Sequence, residues 1–193
     1  MADVVANGVR HHVVSLGPGS GAGGRAGGPG VSSPKGDAGE RAVVFVHGLV
    51  MDNLSSFYFT LANPVAERAR VVLYDLRGHG MSERPARGYA VADFVADLAA
   101  LTADLPPFAR VGNSFGGLVA LAFAAAHPAR VSRLALIDAH TGAGDWAAQM
   151  TATLALQGDA RDRKIAESFQ SWLGRHSERK RTRLADNAKA LVE

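Results

Sequence analysis

The run Gly112-Asn113-Ser114-Phe115-Gly116-Gly117 places a serine hydroxyl between two glycines in the order G-x-S-x-G. That spacing suits a sharp strand-to-helix turn, which lifts the serine Oγ clear of a sheet edge and makes it a nucleophile. Gly112 and Gly116 remove side chains that would collide in so tight a bend. The helix that follows offers free backbone N–H groups and a partial positive charge at its start. The N–H of Phe115 is therefore a candidate donor to a developing oxyanion, the first half of an acyl-transfer site.

Two more loops carry polar residues at the ends of apolar runs. His47-Gly48-Leu49-Val50 follows Ala42–Val46. Glycine there lets the backbone turn so that the next N–H faces the nucleophile, which makes Leu49 the candidate second oxyanion donor, with Val50 as the alternative. His47, at a strand end before glycine, reads as a structural histidine bonding the loop rather than as a base. Asp75-Leu76-Arg77-Gly78-His79-Gly80-Met81-Ser82 follows Val71–Tyr74. Asp75 and Arg77 are expected to hold this loop by ion pairing or backbone bonds, and His79 to face solvent.

The elements that must position these residues follow from the apolar pattern. Residues 8–16 mix β-branched and polar residues and read as a half-exposed strand. Ala42–Val46, Val71–Asp75, Phe108–Gly112 and Val131–Ile137 read as buried strands, and 54–68, 91–104 and 115–127 as helices between them. Short apolar strands alternating with helices build βαβ units, hence an α/β fold with a mostly parallel, doubly wound sheet flanked by helices. Residues 17–40 are dense in Gly, Ser, Pro and Ala, cannot bury enough apolar surface to offset ordering, and read as a flexible surface loop. The core is accordingly placed at 1–140. Beyond His140, the stretches 143–158, 161–174 and 178–192 have helical spacing, and 141–193 reads as a helical cap or lid.

Composition narrows the classes. The 193 residues are 47% hydrophobic and 20% charged with a formal net charge of +3, ordinary values for one globular domain. With no cysteine, disulfides, thiolate metal sites and cysteine nucleophiles are excluded. The basic clusters at 161–164 and 175–183 read as solvated helix faces, so no nucleic-acid partner is expected. The longest apolar stretch, 115–126, falls short of the ~20 residues of a membrane span. Met1-Ala-Asp-Val-Val has no basic start leading into an apolar run. The expectation is a cytoplasmic protein without a membrane partner.

Taken together, His47-Gly48, the Asp75-to-Ser82 run, the Gly112-to-Gly117 elbow and the strand ending Leu136-Ile137-Asp138 resemble the α/β-hydrolase family, in its large cofactor-free branch. The likeness is close over about 41–140; residues 8–16 look like the family's first strand and 141–193 like its cap. The resemblance implies that Ser114 attacks an acyl carbon, that two backbone amides stabilise the oxyanion, and that a histidine held by an acid relays the proton, with no metal or organic cofactor. Asn113 resembles the subgroup that cleaves carbon–carbon bonds of vinylogous diketo acids. That subgroup carries a smaller, glycine-rich oxyanion loop where this chain has Leu49-Val50-Met51, so the broader expectation is a small acyl substrate: an ester, thioester or lactone.

The family's chain order is serine, acid, histidine, the last two on loops after late strands, and no strand pattern follows His140. Three readings result, in this order. The chain is truncated before its acid and base, which lie in a longer frame or on a partner polypeptide. Or it is a non-catalytic binding or assembly module that kept the fold. Or local groups substitute, with Asp138 as acid and His140 or His176 as base. Truncation would leave an unpaired apolar sheet edge, favouring a partner chain or self-association.

Overall fold

The computed structural model describes residues 1–18, 41–49, 52–139, 152 and 156–172. Two compact units divide the chain, Met1–Thr141 and Gly142–Glu193. In the second, the described residues include one helix, Gly158–Trp172. The helices expected over 143–158 and 178–192, and the loop expected at 17–40 from residue 19 onward, fall largely outside the described residues.

The first unit is an open six-stranded sheet in the order β1-β2-β4-β3-β5-β6, with β1 at Ala2–Ala6, β2 at Val9–Leu16, β3 at Ala42–Val46, β4 at Arg70–Tyr74, β5 at Phe108–Asn113 and β6 at Val131–Ile137. The four later strands run parallel; β2 lies antiparallel to β4, and β1 antiparallel to β2. Strand β1 has no counterpart in the sequence reading, which begins the sheet at residue 8. Its burial is almost nil, so it shows no apolar alternation to detect. The turn that makes the hairpin is nevertheless written as Asn7-Gly8, both at positive φ (49° and 73°), as a tight two-residue hairpin requires.

Between β3 and β4 the chain forms α1 (Ser55–Phe57), a π-helical turn (Tyr58–Ala62) and α2 (Asn63–Ala66). The widened turn sits just before Pro64, which has no N–H to continue the ladder, and the Asn63 side-chain amide donates to the Tyr58 carbonyl at 2.5 Å. Helix α3 (Val91–Leu101) joins β4 to β5, and α4 (Phe115–Ala126) joins β5 to β6.

Each sheet face has its own core. Val44, Val46, Val72 and Tyr74 pack with Phe94, Leu98, Val119 and Phe123 of α3 and α4. The alternate residues Phe45, Val71 and Leu73 pack with Val14, Phe57 and Ala62. This period-2 division is why the central strands read as continuous apolar runs. Strand β6 is the outermost strand among the described residues, and Leu136 and Ile137 on it are each 40% exposed.

The chain winds from β3 to β4 on one side, then to β5 on the other. The carboxyl ends of β3 and β5 are therefore neighbours at the point where the winding reverses, and Val46 is in register with Gly112. In open α/β sheets that crevice is where ligands bind.

The α3 face is pinned by a buried ion pair. Arg77 grips Asp97 with Nε and Nη2 at 2.6 and 2.5 Å. Asn7 donates to the same carboxylate at 3.0 Å, and His11 Nε2 lies 3.5 Å from it. Burial alone would push the Asp97 carboxyl up, but the hydrogen bonds from Arg77 and Asn7, with His11 close by, hold it below the usual range. Replacing Asp97 by Ala leaves the Arg77 guanidinium buried without its counter-charge, and should cost about 3–5 kcal/mol in urea unfolding. Because the folded-state value is depressed, the carboxylate's stabilisation is present above the unfolded value of 3.8 and lost as pH falls below it. Wild type and Asp97→Ala should accordingly converge in stability at acidic pH.

Candidate active site

Ser114 stands between β5 and α4 with φ 50° and ψ −118°, a left-handed conformation that a non-glycine residue adopts only under constraint. The constraint is visible on both sides. A Cβ on Gly112 would lie 2.5 Å from the Gly116 carbonyl oxygen and 2.6 Å from Gly117 Cα, and one on Gly116 would overlap the carbonyl oxygens of Val46 and His47. Helix α4 thus crosses β5 and the end of β3 with backbone against backbone. The Ser114 N–H donates to the Ile137 carbonyl at 2.9 Å, and the Ser114 carbonyl accepts from Gly117 N–H at 3.0 Å. Residues in the first turn of a helix have no intrahelical acceptor for their N–H, so Phe115 presents its amide at the elbow. Its ring packs edge-on against Phe94, centroids 5.0 Å apart, which fixes the first turn of α4 on α3.

The loop after β3 stands against the serine: a Cβ on Gly48 would lie 3.3 Å from Ser114 Cβ. The Gly48 N–H is already committed, donating to Asp52 Oδ2 at 2.6 Å. Leu49 follows, half-buried. Val50 and Met51 lie outside the described residues.

His47 is buried, and both ring nitrogens are occupied within the loops. Nδ1 is 2.7 Å from the Gly48 carbonyl, and Nε2 accepts the Leu76 N–H at 2.9 Å. An acceptor nitrogen on one side and a carbonyl on the other define a neutral ring that donates from Nδ1. Burial pushes its pKa down to about 4 against the opposing pull of the Gly48 hydrogen bond. His79 differs from the expectation of a solvent-facing ring: it is half-buried, edge-on to His47 with centroids 5.4 Å apart.

The loop after β4 is held by its own polar residues. Asp75 accepts Leu54 N–H at 2.9 Å and Met81 N–H at 2.8 Å, joining the two loops, whereas Arg77 turns to Asp97. Ser82 Oγ donates to the Asp75 carbonyl at 2.6 Å.

Asp138 follows Ile137, whose carbonyl receives the Ser114 amide. It is exposed, with φ 45°, and the next residue, Ala139, packs where a Cβ on Gly117 would fall. The end of β6 therefore passes beside the elbow. Among the described residues, the histidines lie elsewhere: His11 with Asp75 and Asp97, His12 with Asp3, His47 and His79 within the loops, His127 against Phe123. His140 and His176 fall outside the described residues.

Sequence reasoning missed two carboxylates. Asp97 sits on α3 between Phe94 and Leu98, an acidic residue on the apolar face, which is a legible sign of a buried partner. Asp52 collects hydrogen bonds from Gly48, Asn113, Asn53 and Ser56. Burial raises its pKa, but the bonds from Ser56, Gly48 and Asn113 outweigh this and keep it ionised.

A sequence model of the family described as alpha/beta hydrolase fold matches residues 41–192. A non-heme chloroperoxidase of Streptomyces lividans is 37% identical over 105 residues, 50% of this chain and 36% of that protein. A pimeloyl-[acyl-carrier protein] methyl ester esterase of Chromobacterium violaceum is 43% identical over 95 residues, 49% of this chain and 35% of that protein. Among solved structures, Est816, described as an N-acyl homoserine lactone degrading enzyme, superposes with a TM-score of 0.71 at 25% identity, covering 98% of this chain and 64% of its own. The chain thus matches about a third of the length of these curated relatives. No helix among the described residues is long and apolar enough to cross a membrane.

His47 gives the site a pH signature. Its folded-state pKa lies below the unfolded value of 6.5, so the unfolded chain binds the proton first. Stability is full above about pH 6.5 and falls as pH drops toward 4, by on the order of 3 kcal/mol in all. Replacing His47 by Gln should flatten that segment of the stability curve, measured by urea unfolding at successive pH values.

Proposed function

Because the chain belongs to the alpha/beta hydrolase fold family, we propose that it is a serine hydrolase acting on a small ester, thioester or lactone, with Ser114 as the nucleophile. The observation that carries this reading is the strained Ser114 at the head of α4, at the reversal point of the sheet, with Gly48 pressed against it. In the proposed reaction Ser114 Oγ gives its proton to a histidine and bonds to the acyl carbon while the carbonyl π pair moves onto oxygen. The Leu49 and Phe115 amides hold that oxyanion, which then collapses and expels the alcohol or thiol, the histidine returning the proton to it. Water releases the acyl group in the second half. The Chromobacterium relative named as an esterase and the structural neighbour described as a lactone-degrading enzyme support this substrate class.

Activation of Ser114 requires a histidine and an acid. Asp138, beside the elbow, is the candidate acid within the chain. We propose that the histidine comes from chain following in a longer protein or from a partner polypeptide, packed on the outer side of β6. The exposure of Leu136 and Ile137 and the partial coverage of the relatives support this.

A fluorophosphonate probe tests the reading. Ser114 should be labelled slowly in these 193 residues and not at all in Ser114→Ala, the missing base costing on the order of 10⁶ in rate. Brisk labelling would mean that a histidine serves within the chain itself. No labelling, together with tight ligand binding indifferent to Ser114→Ala, would favour a binding module that kept the fold.

A further inference from the structure

The oxyanion loop is anchored by a side chain rather than by the sheet. Past Val46, β3 has no ladder partner, and the first amide of the loop, Gly48 N–H, ends on Asp52 Oδ2 at 2.6 Å. The same oxygen accepts the Asn113 side-chain amide at 3.3 Å, while Oδ1 accepts Asn53 N–H at 2.9 Å and the Ser56 hydroxyl. Asp52 is thus fixed to the start of α1 by one oxygen and ties the loop to the elbow by the other. Asn113 is the last residue of β5, directly before Ser114.

We propose that Asp52 is a positioning residue, with Asn113 as its anchor on β5: together they set where the Leu49 amide stands relative to Ser114 Oγ. The inference rests on the serine-hydrolase reading of Ser114. With Gly48 N–H consumed by the carboxylate, Leu49 carries the next free amide, and its placement follows from the peptide plane that Asp52 holds. Gly48 lies against Ser114, so a shift of the loop changes the distance from donor to oxyanion directly. A displacement of about 1 Å at a reacting site costs on the order of 10²-fold in rate. The geometry also gives Asn113 a role unrelated to the kind of bond cleaved. The position before the nucleophile needs a donor that reaches Asp52, and an acid there would face it with like charge.

The test is the rate at which p-nitrophenyl acetate acylates Ser114, followed as stoichiometric nitrophenolate release, in wild type, Ser114→Ala, Asp52→Ala, Asp52→Asn and Asn113→Ala. Hydrogen exchange at the Gly48 amide is read in parallel. Asp52→Ala should slow acylation at least tenfold and speed Gly48 exchange at least tenfold, with exchange at Val44 and Phe45 unchanged. Asp52→Asn keeps one acceptor and the approximate shape, so it should fold even if Asp52→Ala does not, yet lose most of the rate with little change in Tm. Asn113→Ala should slow acylation severalfold, although this ester offers no diketo group to recognise. Rates within twofold of wild type in both Asp52→Asn and Asn113→Ala, or an unchanged Gly48 amide in Asp52→Asn, would overturn the proposal while leaving Ser114 as nucleophile. Acylation absent from wild type, or persisting in Ser114→Ala, would overturn the serine-hydrolase reading and this inference with it.

Discussion

Helix α4 crosses β5 and the end of β3 with no side chain between them, and the geometry of the site follows from that crossing. Gly116 lies on the carbonyls of Val46 and His47, and Gly112 on Gly116 and Gly117. Any side chain at these points would push the helix off the sheet. The crossing leaves so little chain between strand and helix that Ser114 takes φ 50°, a conformation that costs of order 1–3 kcal/mol and persists only where its surroundings over-determine it. Here they do: the Ser114 amide is held by Ile137, its carbonyl by the first turn of α4, and the Phe115 ring by Phe94.

Around the crossing, polar side chains tie the loops at the carboxyl ends of the strands together, largely through backbone groups. His47 bridges Gly48 and Leu76, Asp75 bridges Leu54 and Met81, and Asp52 bridges Gly48 and the start of α1. A neutral buried histidine suits this work, because the desolvation a charge there would face outweighs the attraction of nearby Asp52 and Asp75. Asp52 works in the opposite way, its carboxyl held below the usual carboxylate range because both oxygens receive N–H or O–H donors. These bonds link the loops after β3 and β4 beside Ser114, the support that the proposed oxyanion donors would need.

Much of this was legible in the sequence, and the reasons are local. The central strands are buried on both faces, so Ala42–Val46 and Val71–Tyr74 appear as unbroken apolar runs. The elbow is legible because its whole G-x-S-x-G pattern is written in one short run, although Gly116 answers to Val46 and His47 at the end of another strand. The hairpin strand β1 was not, since an exposed edge strand carries no apolar alternation, although the Asn7-Gly8 turn was in plain view. The partners of Arg77 and Asp52 were not legible either. Arg77 lies two residues from Asp75 yet pairs with Asp97, twenty residues away on another element, and Asp52 meets Asn113 across 61 residues. Such pairings are decided by how helices settle on the sheet, which local pattern does not carry. Asn113, read from sequence alone, resembled a marker of substrate class; beside Asp52 it has a structural partner.

The account stands on Ser114 as a nucleophile facing two backbone donors. A crystal structure of the protein after reaction with a fluorophosphonate tests this most directly. The account expects phosphorus bonded to Ser114 Oγ, with the phosphoryl oxygen about 2.7–3.1 Å from the amide nitrogens of Leu49 and Phe115. An adduct on another residue, or a phosphoryl oxygen turned to solvent away from both amides, would contradict it.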